Sequence, residues 1–130
     1  MRILVLFLLT ACATKSEQRL QQAQRYLAEG KIKQATKILT MQCEMQDPPA
    51  CSMLGGVLHR EQVSGYVDYY RKGCDLKDGL GCFGLASVHY KKQELPDFEK
   101  NINLSCLYGF TEACRVIKQL DQQKSETKTK

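Results

Sequence analysis

No apolar run in this chain is long enough to cross a bilayer. The strongest, Ile3-Leu4-Val5-Leu6-Phe7-Leu8-Leu9, falls far short of the roughly 20 residues a spanning helix needs. Arg2 before it and the small pair Thr10-Ala11 after it give it the layout of a cleavable export signal. Charge of one sign is also scarce: 19 basic residues face 14 acidic ones, a formal net charge of +5. Much of that excess sits in Lys124, Lys128 and Lys130. So small and dispersed an excess makes no nucleic-acid footprint; it is read as solubility, with weak attraction to an anionic envelope surface. There is no C-x-x-C, and the only histidines, His59 and His89, lie far apart. Hence no metal and no cofactor is expected. A positioned nucleophile is missing as well. The single S-x-x-K, Ser125-Glu126-Thr127-Lys128, falls in a stretch without apolar residues, and neither S-D-N nor K-T-G occurs.

Cysteine, in contrast, is plentiful and ordered. Of the 7 cysteines, Cys12 follows the apolar run directly. The other six form three equally spaced pairs, Cys43/Cys51, Cys74/Cys82 and Cys106/Cys114. Leu9-Thr10-Ala11-Cys12 resembles the lipobox of bacterial lipoproteins. The resemblance implies cleavage before Cys12 and acylation of Cys12, and several acyl chains anchor a protein firmly. Ala13 stands where an aspartate would retain an enteric lipoprotein in the inner membrane. Its absence points to the outer membrane, with the chain facing the periplasm. The expected organisation is a signal peptide over 1–11, a lipidated linker over 12–16, one repeat domain over 17–120 and a disordered polar tail over 121–130.

The periodicity around the cysteine pairs is helical. Leu39, Tyr70 and Ile102 stand four residues before the first cysteine of each pair, and Ala35, Tyr66 and Phe98 stand eight before it. Met45, Leu76 and Tyr108 stand two after it. This spacing predicts one face of a helix ending near that cysteine. Leu54, Leu85 and Ile117, then Val57, Val88 and Leu120, follow the second cysteine at helical spacing and predict a second helix starting there. Each pair thus straddles a corner between helices. The corners carry turn chemistry: Asp47-Pro48-Pro49 and Asp78-Gly79 as cap and turn, Tyr108-Gly109 as a helix end, and Thr111 as N-cap with Glu112 in the first turn. Six cysteines allow 15 connectivities. Pairing across each corner is expected, because a helix end and the next helix start lie within disulfide reach. Each such bond would stabilise by roughly 2–3 kcal/mol on loop-entropy grounds. Upstream, a helix over 17–29 closed by Gly30 and a helix over 32–46 form a hairpin without cysteines at its start; its turn, Tyr26 to Ala35, resembles a tetratricopeptide-type turn.

The stretch from Tyr66 to Tyr90, YVDYYRKGCDLKDGLGCFGLASVHY, resembles a Sel1-like repeat. It is similar to the disulfide-bearing subgroup first known as Helicobacter cysteine-rich proteins. The tyrosine pair, both cysteines, the Asp-Gly turn and the Gly-Cys junction carry the likeness, which spans about residues 32–120 and is strongest in the middle unit. It implies an all-α fold, a right-handed αα-hairpin solenoid with a concave surface. It also implies an adaptor that binds a protein or peptide. The first helices of the repeats would then offer Met53, Val57, Arg60, Phe83, Ser87 and Tyr90 to the groove. Tyr66, Tyr69 and Tyr70 are expected to serve packing. Some cysteine-rich relatives have been called β-lactamases or penicillin-binding proteins, so a β-lactam-binding or weakly hydrolysing protein is the alternative. With the cysteines bridged no thiolate remains for nucleophilic chemistry, and no catalytic residue is assigned. A monomer, anchored to the membrane by its lipid, is the expected state.

Overall fold

The computed structural model describes residues 14–128. Cys12 and the expected export signal fall outside them. Seven helices follow one another: α1 Lys15–Ala28, α2 Ile32–Glu44, α3 Pro48–Arg60, α4 Tyr66–Asp75, α5 Gly79–Lys91, α6 Leu95–Leu107 and α7 Thr111–Lys128. Each packs on its neighbours in sequence, and α3 also touches α5. The fold is an all-α solenoid of consecutive helix pairs.

One turn type ends every helix from α1 to α6. Gly30, Gln46, Gln62, Lys77, Gln93 and Gly109 all take positive φ, between 58° and 87°. At each, the left-handed residue donates its N–H to the carbonyl three residues back, as Gln46 does to Cys43. The next residue donates to the carbonyl five back, as Asp47 does to Gln42. These are Schellman turns, which satisfy the orphan carbonyls of a helix end. In five of the six turns the residue closing the motif is also the one before the next helix, so the chain reverses within three residues. Successive helices therefore alternate in direction, and α1, α3, α5 and α7 run the same way. The α3–α4 connection is longer and passes through Gly65, at φ 89°.

The three disulfides, Cys43–Cys51, Cys74–Cys82 and Cys106–Cys114, clamp the α2–α3, α4–α5 and α6–α7 turns, with Cα atoms 4.5 to 4.8 Å apart. Each joins the second-last position of one helix to the fourth of the next. The first two are buried and the third is half-buried.

The core follows the predicted faces. Ala35, Leu39, Leu54 and Val57 are buried around the first disulfide, Tyr70 and Leu85 around the second, and Ile102 and Ala113 beside the third. Tyr70 fits because its neighbours are glycines. Its ring passes between α3 and α5 at Gly55 and Gly84, where a Cβ would collide with it. The three helices also meet at Ser52, Gly73 and Gly81, where no larger side chains would fit.

Several expectations are corrected. Residues 121–128 continue α7 as helix instead of forming a disordered tail. No proline or glycine interrupts them, and their Gln, Lys and Glu residues propagate a helix already held by Ala113 and Ile117. The linker ends sooner than expected, since α1 starts at Lys15 behind a Thr14–Glu17 capping box. Asp47 and Asp78 precede their helices but make no capping hydrogen bond; Asp47 instead accepts from Ser16 Oγ. Thr111 is the first helical residue rather than the cap. Met45, Leu76 and Tyr108 are the C-cap residues of their helices; Leu76 and Tyr108 still pack against the core, but Met45 is 66% exposed and does not.

Candidate functional site

The odd-numbered helices share one face, and two hollows run along it. The first, about 530 Å³, is floored by Met53, Gly56 and Val57 of α3 and by Leu80, Phe83 and Gly84 of α5, with Leu27 of α1 at one side. The second, about 360 Å³, lies between α5, α6 and α7 and is walled by Phe83, Tyr90, Phe98, Ile102, Val116 and Leu120. Phe83, Ser87 and Lys91 line both, so the hollows adjoin along α5 and together make up the channel. Helical spacing on α5 brings this about: positions 80, 83, 84, 87, 90 and 91 recur every three or four residues and face the same way.

All six residues expected in the groove line it. Met53, Val57, Arg60, Phe83 and Ser87 border the first hollow; Phe83, Ser87 and Tyr90 border the second. Two need correction. Val57 is only 3% exposed and belongs to the core. Phe83 is half-buried, with its ring centroid 4.9 Å from that of Phe110, so it packs on the α6–α7 turn as well as forming the groove wall. Tyr90 is 61% exposed and leans on Phe98 with centroids 5.3 Å apart.

An aromatic cluster that sequence reasoning assigned only to packing closes one end of the first hollow. His59 stacks on Tyr66 with centroids 4.3 Å apart and rings 3° from parallel. Its Nδ1 lies 3.4 Å from the hydroxyl of Tyr70. Burial raises the Tyr70 pKa above the ordinary phenol value, the Tyr66 hydroxyl adds to the rise, and the nearby Arg60 charge opposes it. His59 therefore has aromatic partners despite its place at a helix end. His89 has a carboxylate partner instead: its Nδ1 is 2.6 Å from Glu94 Oε2 across the α5–α6 turn, with Asp97 alongside. That half-exposed trio is the one His/Asp/Glu grouping among the described residues with metal-ligand proximity.

The charged side chains lining the channel are of one sign. His59, Arg60 and Lys91 line it, and neither hollow is lined by an Asp or Glu. Arg60 and Lys91 are the last residues of α3 and α5, so both lie on the rim formed by parallel helix ends. Among the described residues neither forms an ion pair.

The serines on this face are engaged locally. Ser52 Oγ donates to the Pro48 carbonyl and Ser87 Oγ to the Phe83 carbonyl, at 3.4 and 3.0 Å. Ser125, of the S-x-x-K stretch, donates to the Gln122 carbonyl on the exposed end of α7. An apolar floor, a cationic rim and locally bonded hydroxyls suit binding better than bond cleavage. No known protein family matches this chain, and no curated protein is significantly similar to it.

Proposed function

We propose that this chain is an envelope adaptor of the Sel1-like repeat type. It is anchored through acylated Cys12 and acts as a monomer, holding a protein or peptide segment along the odd-helix face. The observation that carries this reading is the pair of adjoining hollows whose linings reach from α1 to α7 and are mostly apolar. Helix-pair solenoids use such extended faces for binding. The anchor rests on the residues Leu9-Thr10-Ala11-Cys12 after the apolar run; no helix among the described residues is long and apolar enough to cross a membrane.

A photo-crosslinking residue placed at Ser87 or Tyr90 in intact cells tests the binding face. It should trap a defined protein, whereas the same probe at exposed Lys37 on α2 should not. Equal trapping at both positions, or none at Ser87 and Tyr90, would refute the assignment of the face.

A further inference from the structure

We infer that the occupant of the channel is an acidic, apolar peptide segment of another protein, its carboxylates held by Arg60 and Lys91 and its apolar side chains seated against Met53, Leu80 and Phe83. The inference rests on the adaptor reading above and adds the chemistry of the partner.

Two observations carry it. The first is charge: cations line the channel and carboxylates do not. No ion pair engages Arg60 or Lys91 among the described residues, so both charges are open to a ligand. A guanidinium and an ammonium beside an apolar floor reward a carboxylate more than an amide, because charge-assisted hydrogen bonds are stronger than neutral ones. The second is placement. Both cations end parallel helices, where the negative end of each helix favours a positive side chain. They form one edge, while the opposite ends of α3 and α5 are preceded by the carboxylates Asp47 and Asp78 and offer no cation. An extended segment can therefore lay carboxylates along one edge and apolar side chains on the floor.

The test uses the purified full-length chain, disulfides intact, against a displayed library of random dodecapeptides. Enriched peptides should combine apolar residues with an excess of Asp and Glu over Lys and Arg. A synthetic enriched peptide should lose about tenfold or more in affinity when its carboxylates become amides. It should lose a similar factor on the Arg60→Gln, Lys91→Gln double variant, whose circular dichroism should match the parent. Affinity should also fall as salt rises. Enriched peptides of neutral or basic composition, an affinity indifferent to the double variant, or no enrichment at all would each overturn the inference. So would channel-dependent self-association in place of peptide binding, which would make a second copy the occupant. Trapping of a partner at Ser87 without any acidic preference would sink the partner chemistry alone. Acidic peptides that bind wild type and double variant alike, with no trapping at Ser87, would sink the binding face too.

Discussion

The ring of Tyr70 on α4 presses against the bare Cα of Gly55 on α3. A Cβ at Gly55 would stand 2.7 Å from the ring Cδ1, and one at Gly84 on α5 would come closer still. Gly56, one residue along, has only the Tyr70 hydroxyl nearby, 3.8 Å from where its Cβ would be. The three substitutions should therefore differ in sign. Gly55→Ala and Gly84→Ala should each destabilise by about 1–3 kcal/mol through overpacking. Gly56→Ala should be neutral or stabilise by up to about 1 kcal/mol from helix propensity. Chemical denaturation of the three variants reads this directly, and a destabilised Gly56→Ala would show that the α3–α5 contact is tighter than described.

The same ring sets an alkaline limit. The folded Tyr70 pKa lies above the ordinary 10.0 because burial disfavours the phenolate. Below 10.0 the phenol is protonated in both states and its contribution to stability is complete. As pH rises past 10.0 the unfolded chain loses the proton first, so stability falls until the raised folded value is passed. Denaturant midpoints of the wild type should drop more steeply above pH 10 than those of Tyr70→Phe. Ultraviolet titration should show one phenol ionising later than the rest. Parallel midpoint curves for the two proteins would refute the assignment to Tyr70.

Much of this architecture was legible because the cysteines index the helices. Leu39, Tyr70 and Ile102, equivalent by their distance from a cysteine, are all buried, as are Leu54 and Leu85. The turns were less legible. Gln46, Gln62, Lys77 and Gln93 adopt left-handed backbone without glycine, at a cost of about 1 kcal/mol each. No local signal marks them, since two Schellman hydrogen bonds and the packing of flanking helices outweigh that cost. Groove candidates on α5 came from the repeat resemblance, and helical spacing is why Phe83, Ser87 and Tyr90 share a face. The cationic rim was not legible, because Arg60 and Lys91 lie 31 positions apart and meet only when α3 and α5 run side by side. The helical end of α7 was misjudged because polar composition was weighed ahead of helix propensity.

The disulfides should differ in reactivity. Cys43, Cys51 and Cys82 are at most 1% exposed and Cys74 is 6% exposed, whereas Cys106 and Cys114 are half-buried. Thiolate attack needs access to sulfur. Under limiting reductant, mass-spectrometric alkylation should label Cys106 and Cys114 first, with the other four protected until the protein unfolds. Removing any one bond by a Cys→Ala pair should cost roughly 2–3 kcal/mol. Early labelling of Cys43 or Cys51 would mean that the first core opens more readily than the third.

Anchoring is tested separately from the fold. Radiolabelled palmitate should enter the wild type in a bacterial host. Cys12→Ala should abolish the label and leave the protein unprocessed or free of the membrane, with its helical circular dichroism unchanged, since α1 begins only at Lys15. Label that persists in Cys12→Ala would refute the anchor and leave the solenoid intact.

Groove and core should separate, with Phe83 falling between them. Tyr90 is mostly exposed and Ser87 makes only a bond within its own helix. The double variant Ser87→Ala, Tyr90→Ala should therefore cost about 1 kcal/mol or less, chiefly the lost Tyr90–Phe98 contact. Leu85, 6% exposed and packed beside the second disulfide, should cost about 2–5 kcal/mol as Leu85→Ala. Phe83→Ala should fall between, about 1–3 kcal/mol, because half of that ring packs against Phe110. Binding should follow a different order. At a temperature where every variant is folded, Leu85→Ala should bind as well as the parent, while the double variant and Phe83→Ala should both bind more weakly. Calorimetry on one preparation of each variant measures both quantities. If binding loss instead tracks stability loss across all three, the odd-helix face is not the binding surface, and the even helices become the place to look.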